Sequence, residues 1–132
     1  MEKWITYHNI GEQIELIERF EGGNQELKVY YTDKKKRKWM LHFDFVWDFR
    51  YAIENAFINR CYYIKQDKTR IKYSSIYIVE GSEYIKYFED QTFGSLPTDE
   101  LKHFLIFDAV DSGLEILTTK EPERHEIGEG EK

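Results

Sequence analysis

The sequence predicts an α+β domain made mainly of antiparallel β-sheet, either flat or curved into a half-barrel, with one or two helices. Runs of β-branched and aromatic residues follow one another along the chain, and one segment has the clear pattern of a helix. Successive strands without alternating helices are typical of antiparallel sheets. A chain of 132 residues has the usual size of one domain. We expect residues 1–120 to form that domain and residues 121–132 to form a flexible acidic tail.

The first third of the chain contains strand patterns separated by turn signals. Residues 3–7 (KWITY) alternate as a short strand does. Residues 10–20 fit either a helix or a strand, because their isoleucines satisfy both spacings, and the glycines of residues 22–24 end this segment. Residues 26–32 and 38–47 predict a hairpin whose charged loop, residues 33–37, cannot lie in a core.

The segment LHFDFVWDFRY (residues 41–51) alternates apolar and polar side chains. On a strand, its apolar side chains share one face with Ile53: Leu41, Phe43, Phe45, Trp47, Phe49 and Tyr51. His42, Asp44, Asp48 and Arg50 take the other face, with Val46 among them. A helical spacing also fits residues 46–60, so the strand prediction extends to Ile53 and residues 54–60 stay open.

The second half of the chain predicts strands around one helix. Two strand-like runs lie within residues 61–80, and residues 82–94 (SEYIKYFEDQTFG) predict a helix. Ser82 can accept a backbone N–H at its start, and Gly94 is a suitable residue at its end. Residues 101–110 and 113–119 predict a further hairpin.

The charge distribution indicates a basic protein as partner. The net charge is −6, and residues 67–132 carry 15 acidic against 8 basic side chains. Such a surface repels nucleic acid and attracts basic proteins. The lysine-rich segment of residues 34–38 predicts a solvated hairpin end rather than a nucleic-acid site. The single cysteine, Cys61, and the absence of an apolar leader or a span of roughly 20 apolar residues predict a cytoplasmic protein without a membrane partner.

The candidate chemical motifs are incomplete. His42, Asp44 and Asp48 have a spacing that a metal site can use, but further ligands must come from elsewhere in the chain. No serine or cysteine lies in a nucleophile motif, and no glycine-rich segment forms a phosphate loop. We therefore predict no catalytic residues, no metal and no cofactor, and hence a protein that is not an enzyme.

The expected contact surface combines carboxylates with tyrosines, which are frequent in protein-binding surfaces. We assign to it Glu80, Glu83, Tyr84, Tyr87, Glu89, Asp90, Asp108 and Asp111. The alternative is a small-ligand-binding or weakly hydrolytic domain with a pocket lined by Asp44, Asp48, Arg50 and His103. The polar side of the strand at residues 41–53 then lines the pocket instead of facing solvent.

Three stretches carry a resemblance to known proteins: FDFVWDFRYAIENAFINR (43–60), SSIYIVEGSEYIKYFEDQTFG (74–94) and LKHFLIFDAVDSGLEILT (101–118). In this order they resemble small uncharacterised proteins of Bacillus-like bacteria, some of which look like immunity proteins that neutralise secreted polymorphic toxins. The resemblance implies a stoichiometric inhibitor in the cytosol that binds a cationic toxin. It carries no catalytic residue over to this chain.

Overall fold

The computed structural model describes residues 3–7, 10, 13–53, 75–94, 99–109 and 112–128. These residues form nine strands and one helix. In chain order the elements are β1 (Lys3–Thr6), β2 (Ile14–Gly23), β3 (Glu26–Asp33), β4 (Lys38–Phe43), β5 (Val46–Ile53), β6 (Ile76–Glu80), α1 (Glu83–Gln91), β7 (Lys102–Phe107), β8 (Ser112–Thr118) and β9 (Glu123–Ile127).

The strands form two antiparallel sheets. The five-stranded sheet has the order β1-β6-β7-β8-β5, and the four-stranded sheet has the order β2-β3-β4-β9. The prediction of a mainly antiparallel α+β domain is confirmed at this level. Among the described strands no ladder joins the two sheets, so they are not closed into a barrel.

The main core lies between the two sheets. Phe43 of the four-stranded sheet packs its ring against Phe104 of the five-stranded sheet, with the centroids 5.6 Å apart. The two inner faces supply fully buried side chains, including Leu27, Val29, Tyr31, Leu41, Phe43, Phe104, Ile106, Leu114 and Ile116. Each large apolar side chain buried in this way contributes about 1.5–3 kcal/mol relative to an exposed one.

The outer face of the five-stranded sheet is also buried. Helix α1 places Tyr84 against Leu101 and Leu117, and the partly buried side chains Trp47 and Phe88 complete this second cluster. Strands buried on both faces have near-continuous apolar sequences. Because both faces of this sheet are covered, residues 112–118 are buried at every position.

The segment 41–53 is two strands rather than one, so this prediction was wrong. The chain leaves the four-stranded sheet after Phe43 and enters the five-stranded sheet at Val46. Between the sheets, Phe45 has a φ of 53° and is exposed. A bulge between Val46 and Asp48 then shifts the alternation of β5.

The seven apolar side chains of that segment consequently do not share one face. Phe43 and Phe49 contribute to the main core, Trp47 packs under α1, and Tyr51 is exposed. Alternation within a sequence cannot show that the chain changes sheets, because the period of two continues through the corner.

Several local predictions are confirmed. Residues 14–23 form a strand, which resolves the ambiguity of residues 10–20 for the part described. Helix α1 begins after Ser82, and Gly94 follows its end with a φ of 69°. Residues 54–60 and most of residues 61–80 lie outside the described residues.

A strand lies within the segment assigned to the C-terminal tail. Strand β9 pairs antiparallel with β4, with Leu41 opposite Arg124. Its first four residues are exposed, so it has no apolar alternation from which a strand can be predicted. Backbone hydrogen bonds to β4, rather than side-chain burial, define this strand. The flexibility of the tail stays a prediction.

No helix among the described residues has the length and apolar composition that crossing a membrane requires.

Candidate functional site

Helix α1 has one exposed and one buried face, and the exposed face carries the predicted contact residues. Glu83, Tyr87 and Asp90 follow one another at helical spacing and are all exposed. The Tyr87 side chain is 57% exposed, and Phe93, just after the helix, is 96% exposed. Lys86 lies 3.8 Å from the Glu83 carboxylate. The exposed face of α1, defined as Glu83, Tyr87, Asp90 and the adjacent Phe93, carries aromatic and acidic side chains, with the exposed Lys86 beside Glu83.

The N-terminus of the helix is held by Ser82. The Ser82 Oγ accepts a 3.0 Å hydrogen bond from the N–H of Ile85, which satisfies one of the free donors of the first turn. The same Oγ lies 2.7 Å from Nδ1 of His103 on β7. The Ser82 hydroxyl therefore contacts both the helix backbone and the His103 ring.

A buried chain of polar groups continues from His103 across the sheet. His103 Nε2 lies 2.9 Å from one carboxylate oxygen of Glu115, and Arg50 Nε donates a 2.7 Å hydrogen bond to the other oxygen. The side chains of His103 and Glu115 are 0% and 1% exposed. Each ring nitrogen of His103 and each carboxylate oxygen of Glu115 thus has a hydrogen-bonding partner, as a buried polar network requires.

Tyr84 forms the second connection between α1 and the sheet. Its hydroxyl donates a 2.8 Å hydrogen bond to Asp48 on β5, and the Arg50 guanidinium lies 3.9 Å above its ring. Burial and the hydrogen bond to Asp48 raise the pKa of the Tyr84 hydroxyl far above its usual range, while the Arg50 charge partly opposes this shift. Tyr84 therefore stays neutral at every physiological pH.

The arrangement contains the Ser–His–Glu order of many hydrolases but differs from them in geometry. In the Ser-His-Asp template, the serine binds Nε2 and the acid binds Nδ1, whereas here the two nitrogens exchange roles. Ser82 is buried and also serves as the helix cap. The network thus anchors α1 to the sheet.

The structure divides the predicted contact residues. Glu80, Glu83, Tyr87 and Asp90 are exposed, and Glu89 is half-buried. Tyr84 is buried under the helix, so its assignment to the contact surface was wrong. The helical period explains this outcome, because residue 84 points to the sheet when residues 83 and 87 point outward.

Asp108 belongs to a different part of the molecule. Its carboxylate accepts 3.0 Å hydrogen bonds from the N–H groups of Ile17 and Ser112, so it joins β2 to the start of β8. Asp108 directly follows β7 at the strand end away from α1. It lies five residues, or roughly 17 Å, beyond His103 along that strand. Asp108 therefore does not lie beside the exposed face of α1. Asp111 lies outside the described residues.

The alternative pocket is also divided. Asp48, Arg50 and His103 meet beneath α1 through Tyr84 and Glu115. Asp44 lies instead at the corner between the sheets, where its carboxylate is 3.4 Å from His42 Nε2. A cavity of about 240 Å³ lies over the four-stranded sheet and is lined by none of the four predicted pocket residues; its lining is Glu18, Arg19, Tyr30, Tyr31, Lys38, Trp39 and Ile127.

Glu26 joins the group around Asp44. One donor atom each of Glu26, His42 and Asp44 lies within 4.8 Å of the others, and His42 Nε2 is 3.2 Å from the Glu26 carboxylate. These are the donor types that bind divalent transition metals. Asp48, which the sequence places beside His42 and Asp44, is separated from them by the corner.

Sequence reasoning missed Glu115. It is a single acid in the apolar strand SGLEILT, and His103 is likewise isolated in KHFLIF. A buried ionisable group requires a partner, so two such residues on neighbouring strands are a signal for a buried pair.

Comparisons of the chain with family models, with curated proteins and with solved structures found no match.

Proposed function

We propose that the protein is a non-enzymatic protein-binding module whose exposed α1 face binds a basic protein. Following the resemblance, the partner is a cationic toxin, and this chain is the immunity protein that neutralises it in the cytoplasm. The partner makes direct contact with Glu83, Tyr87, Asp90 and Phe93. Glu80 and Glu89 lie near them and extend the acidic surface.

The exposure of two aromatic rings beside carboxylates is the observation that carries this proposal. Tyr87 and Phe93 leave more than half of their side-chain surface in solvent, whereas Tyr84 and Phe104 are buried. Exposed aromatic side chains serve as anchors in protein interfaces, because desolvating a rigid ring yields much binding energy for little lost entropy. Carboxylates around them select a basic partner.

The anchoring of α1 supports the proposal in a second way. The Ser82 cap, the His103–Glu115 chain and the Tyr84–Asp48 hydrogen bond hold the helix before any partner arrives. A surface that is already ordered loses less conformational entropy on binding than a mobile one. The excess of acidic side chains in residues 67–132 also accelerates the encounter with a cationic partner.

A weak hydrolase is the second candidate, and the Ser82–His103–Glu115 chain favours it. Hydrolysis requires the Ser82 hydroxyl to reach a substrate, with His103 Nδ1 as the base. A fluorophosphonate probe, which labels activated serines, tests this directly. Labelling of the wild-type chain that Ser82→Ala abolishes supports the hydrolase, and an unlabelled chain contradicts it.

The binding proposal is tested by affinity capture from cells of the source organism at low and moderate salt. We expect one stoichiometric basic protein whose capture weakens as the salt concentration rises. The double variant Glu83→Lys/Asp90→Lys removes the acidic pair and should lose this partner.

Glu126→Lys is the matched control, since Glu126 is an exposed acid on β9 in the other sheet. It should retain the partner, while circular dichroism confirms that both variants are folded. Equal capture by the double variant and the wild type would remove the α1 face from the proposal.

A further inference from the structure

We propose that Glu26, His42 and Asp44 form a binding site for a divalent transition-metal ion, with Zn²⁺ as the representative ion. The site lies on the outer face of the four-stranded sheet, and the proposal is independent of the protein-binding face on α1. One imidazole nitrogen and two carboxylate oxygens form a ligand set that such ions accept in proteins.

Strand pairing brings the three ligands together. In the β3–β4 ladder, Leu27 is opposite Phe43 and Lys28 is opposite His42. One further step along this register places Glu26 opposite Asp44. Leu27 and Phe43 point into the core, so Glu26 and Asp44 point outward on the same side as His42. Glu26 and His42 thus lie on paired strands, and Asp44 directly follows β4 at the corner.

The backbone around the site is also held. The carbonyl oxygen of Asp44 accepts a 2.6 Å hydrogen bond from Oγ of the buried Thr118. On the facing strand end, the carbonyl of Gln25 accepts a 2.8 Å hydrogen bond from the N–H of Val46. These bonds fix the corner that carries Asp44, so a metal ion meets ligands that are already positioned.

His42 Nε2 faces both acids of the cluster. It lies 3.2 Å from Glu26, within hydrogen-bond distance, and 3.4 Å from Asp44. Two carboxylates facing each other across a ladder repel. A metal ion bound at about 2.0–2.2 Å from each ligand holds its ligands roughly 3–3.5 Å apart, which is the separation that His42 shows from both acids.

The neighbouring side chains add one charge of each sign beside the site. Lys28 on β3 and Glu123 on β9 both lie opposite His42, so one basic and one acidic side chain flank it. Glu26 is exposed and Asp44 is partly exposed, which leaves coordination positions for water. We therefore expect reversible binding of one ion by three protein ligands.

The test is a calorimetric titration of the full chain with Zn²⁺ after removal of metals by a chelator, at neutral pH. We expect saturable binding of one ion per chain. His42→Gln should weaken it by at least about tenfold, since even changes to residues behind the ligands cost 10–100-fold in metal affinity. Glu26→Gln, a change at an exposed position, should weaken it similarly and preserves the test if His42→Gln fails to fold.

His125→Gln is the matched control. His125 Nε2 also lies near a carboxylate, 3.6 Å from Glu123, but no described third ligand joins that exposed pair. The control should bind Zn²⁺ as the wild type does. Absence of saturable binding to the wild type, unchanged affinity in both His42→Gln and Glu26→Gln, or loss of binding in His125→Gln would each overturn the proposal.

Discussion

Arg50 lies directly opposite Glu115 in the β5–β8 ladder, and its Nε atom donates a 2.7 Å hydrogen bond to the Glu115 carboxylate. The arginine side chain is 48% exposed, whereas the carboxylate side chain is 1% exposed. A half-exposed cation thus reaches inward to neutralise a buried anion. The buried charge depends on this contact, because an unpaired carboxylate in the interior is strongly unfavourable.

Arg50→Met should therefore lower the free energy of unfolding by about 2 kcal/mol, since it removes a hydrogen bond to a buried charge. Arg19→Met is the matched control. Arg19 also stacks 3.9 Å above a tyrosine ring, that of Tyr30, but its carboxylate partner Glu21 is exposed. It should change stability by less than about 0.5 kcal/mol in urea denaturation. Equal losses for both variants would show that the burial of Glu115 is irrelevant.

The raised pKa of Tyr84 predicts a loss of stability in alkali. In the unfolded chain the hydroxyl ionises near pH 10, whereas the folded chain keeps it protonated to a higher pH. The stabilisation by neutral Tyr84 is thus complete below about pH 10 and falls as the pH rises further.

Tyr84→Phe should reduce this alkaline loss and cost about 1 kcal/mol at neutral pH for the missing hydrogen bond to Asp48. Denaturation curves measured across the alkaline range give both quantities. Tyr87→Phe, at an exposed tyrosine, should leave the pH dependence as in the wild type. An unchanged alkaline profile in Tyr84→Phe would contradict the prediction.

Asp33 should make the β3–β4 hairpin sensitive to acid. Burial disfavours its charged form, but hydrogen bonds from Trp39 Nε1 and from the N–H groups of Arg37 and Lys35 outweigh this effect and lower the pKa of the carboxyl. A lowered pKa stabilises the fold above the unfolded value near 3.9, and this contribution is lost as the pH falls through the folded value.

Asp33→Asn should cost about 2 kcal/mol at neutral pH, because it weakens charge-assisted hydrogen bonds. The difference from the wild type should shrink below about pH 4. Asp90→Asn, an exposed acid on α1, provides the comparison and should show neither effect. A stability difference that stays constant down to low pH would show that the Asp33 charge has no role.

Ser82→Ala should destabilise the protein by about 1–2 kcal/mol, since it removes both the helix cap and the partner of His103. Ser82→Thr retains a hydroxyl and should recover most of this loss. Thermal unfolding followed by circular dichroism measures both. Equal destabilisation by alanine and threonine would indicate that side-chain size, not the hydroxyl, matters at this position.

Helix α1 was predictable because its signals are local. The cap at Ser82, the apolar Ile85 and Phe88, and Gly94 all act within a few residues of one another. The chain's change of sheet at Asp44 and Phe45 was not predictable in this way. It depends on the pairing of β5 with β8, whose paired residues lie 59 to 72 positions apart in the chain.

The site residues also divide into those that local spacing predicts and those that depend on strand pairing. The exposure of Glu83 and Tyr87 follows from the helical period, and so does the burial of Tyr84 once the buried face is known. Thr32 pairs with Lys38 across a five-residue loop. Counting back along both strands from this pair places Glu26 opposite Asp44. The His103–Glu115 contact requires two strands in their three-dimensional register, which composition and spacing do not contain.

Strand β9 has a consequence for how the molecule avoids aggregation. It is the outermost strand of its sheet, and its residues Glu123, Arg124, His125 and Glu126 are polar and exposed. Arg124 faces the core side and stacks 4.5 Å from the Trp39 ring. Charged side chains on an outer strand, one of them directed inward, disfavour the addition of a strand from another molecule. β9 therefore covers the edge of the more apolar strand β4, and its charged side chains disfavour edge-to-edge association of protein molecules.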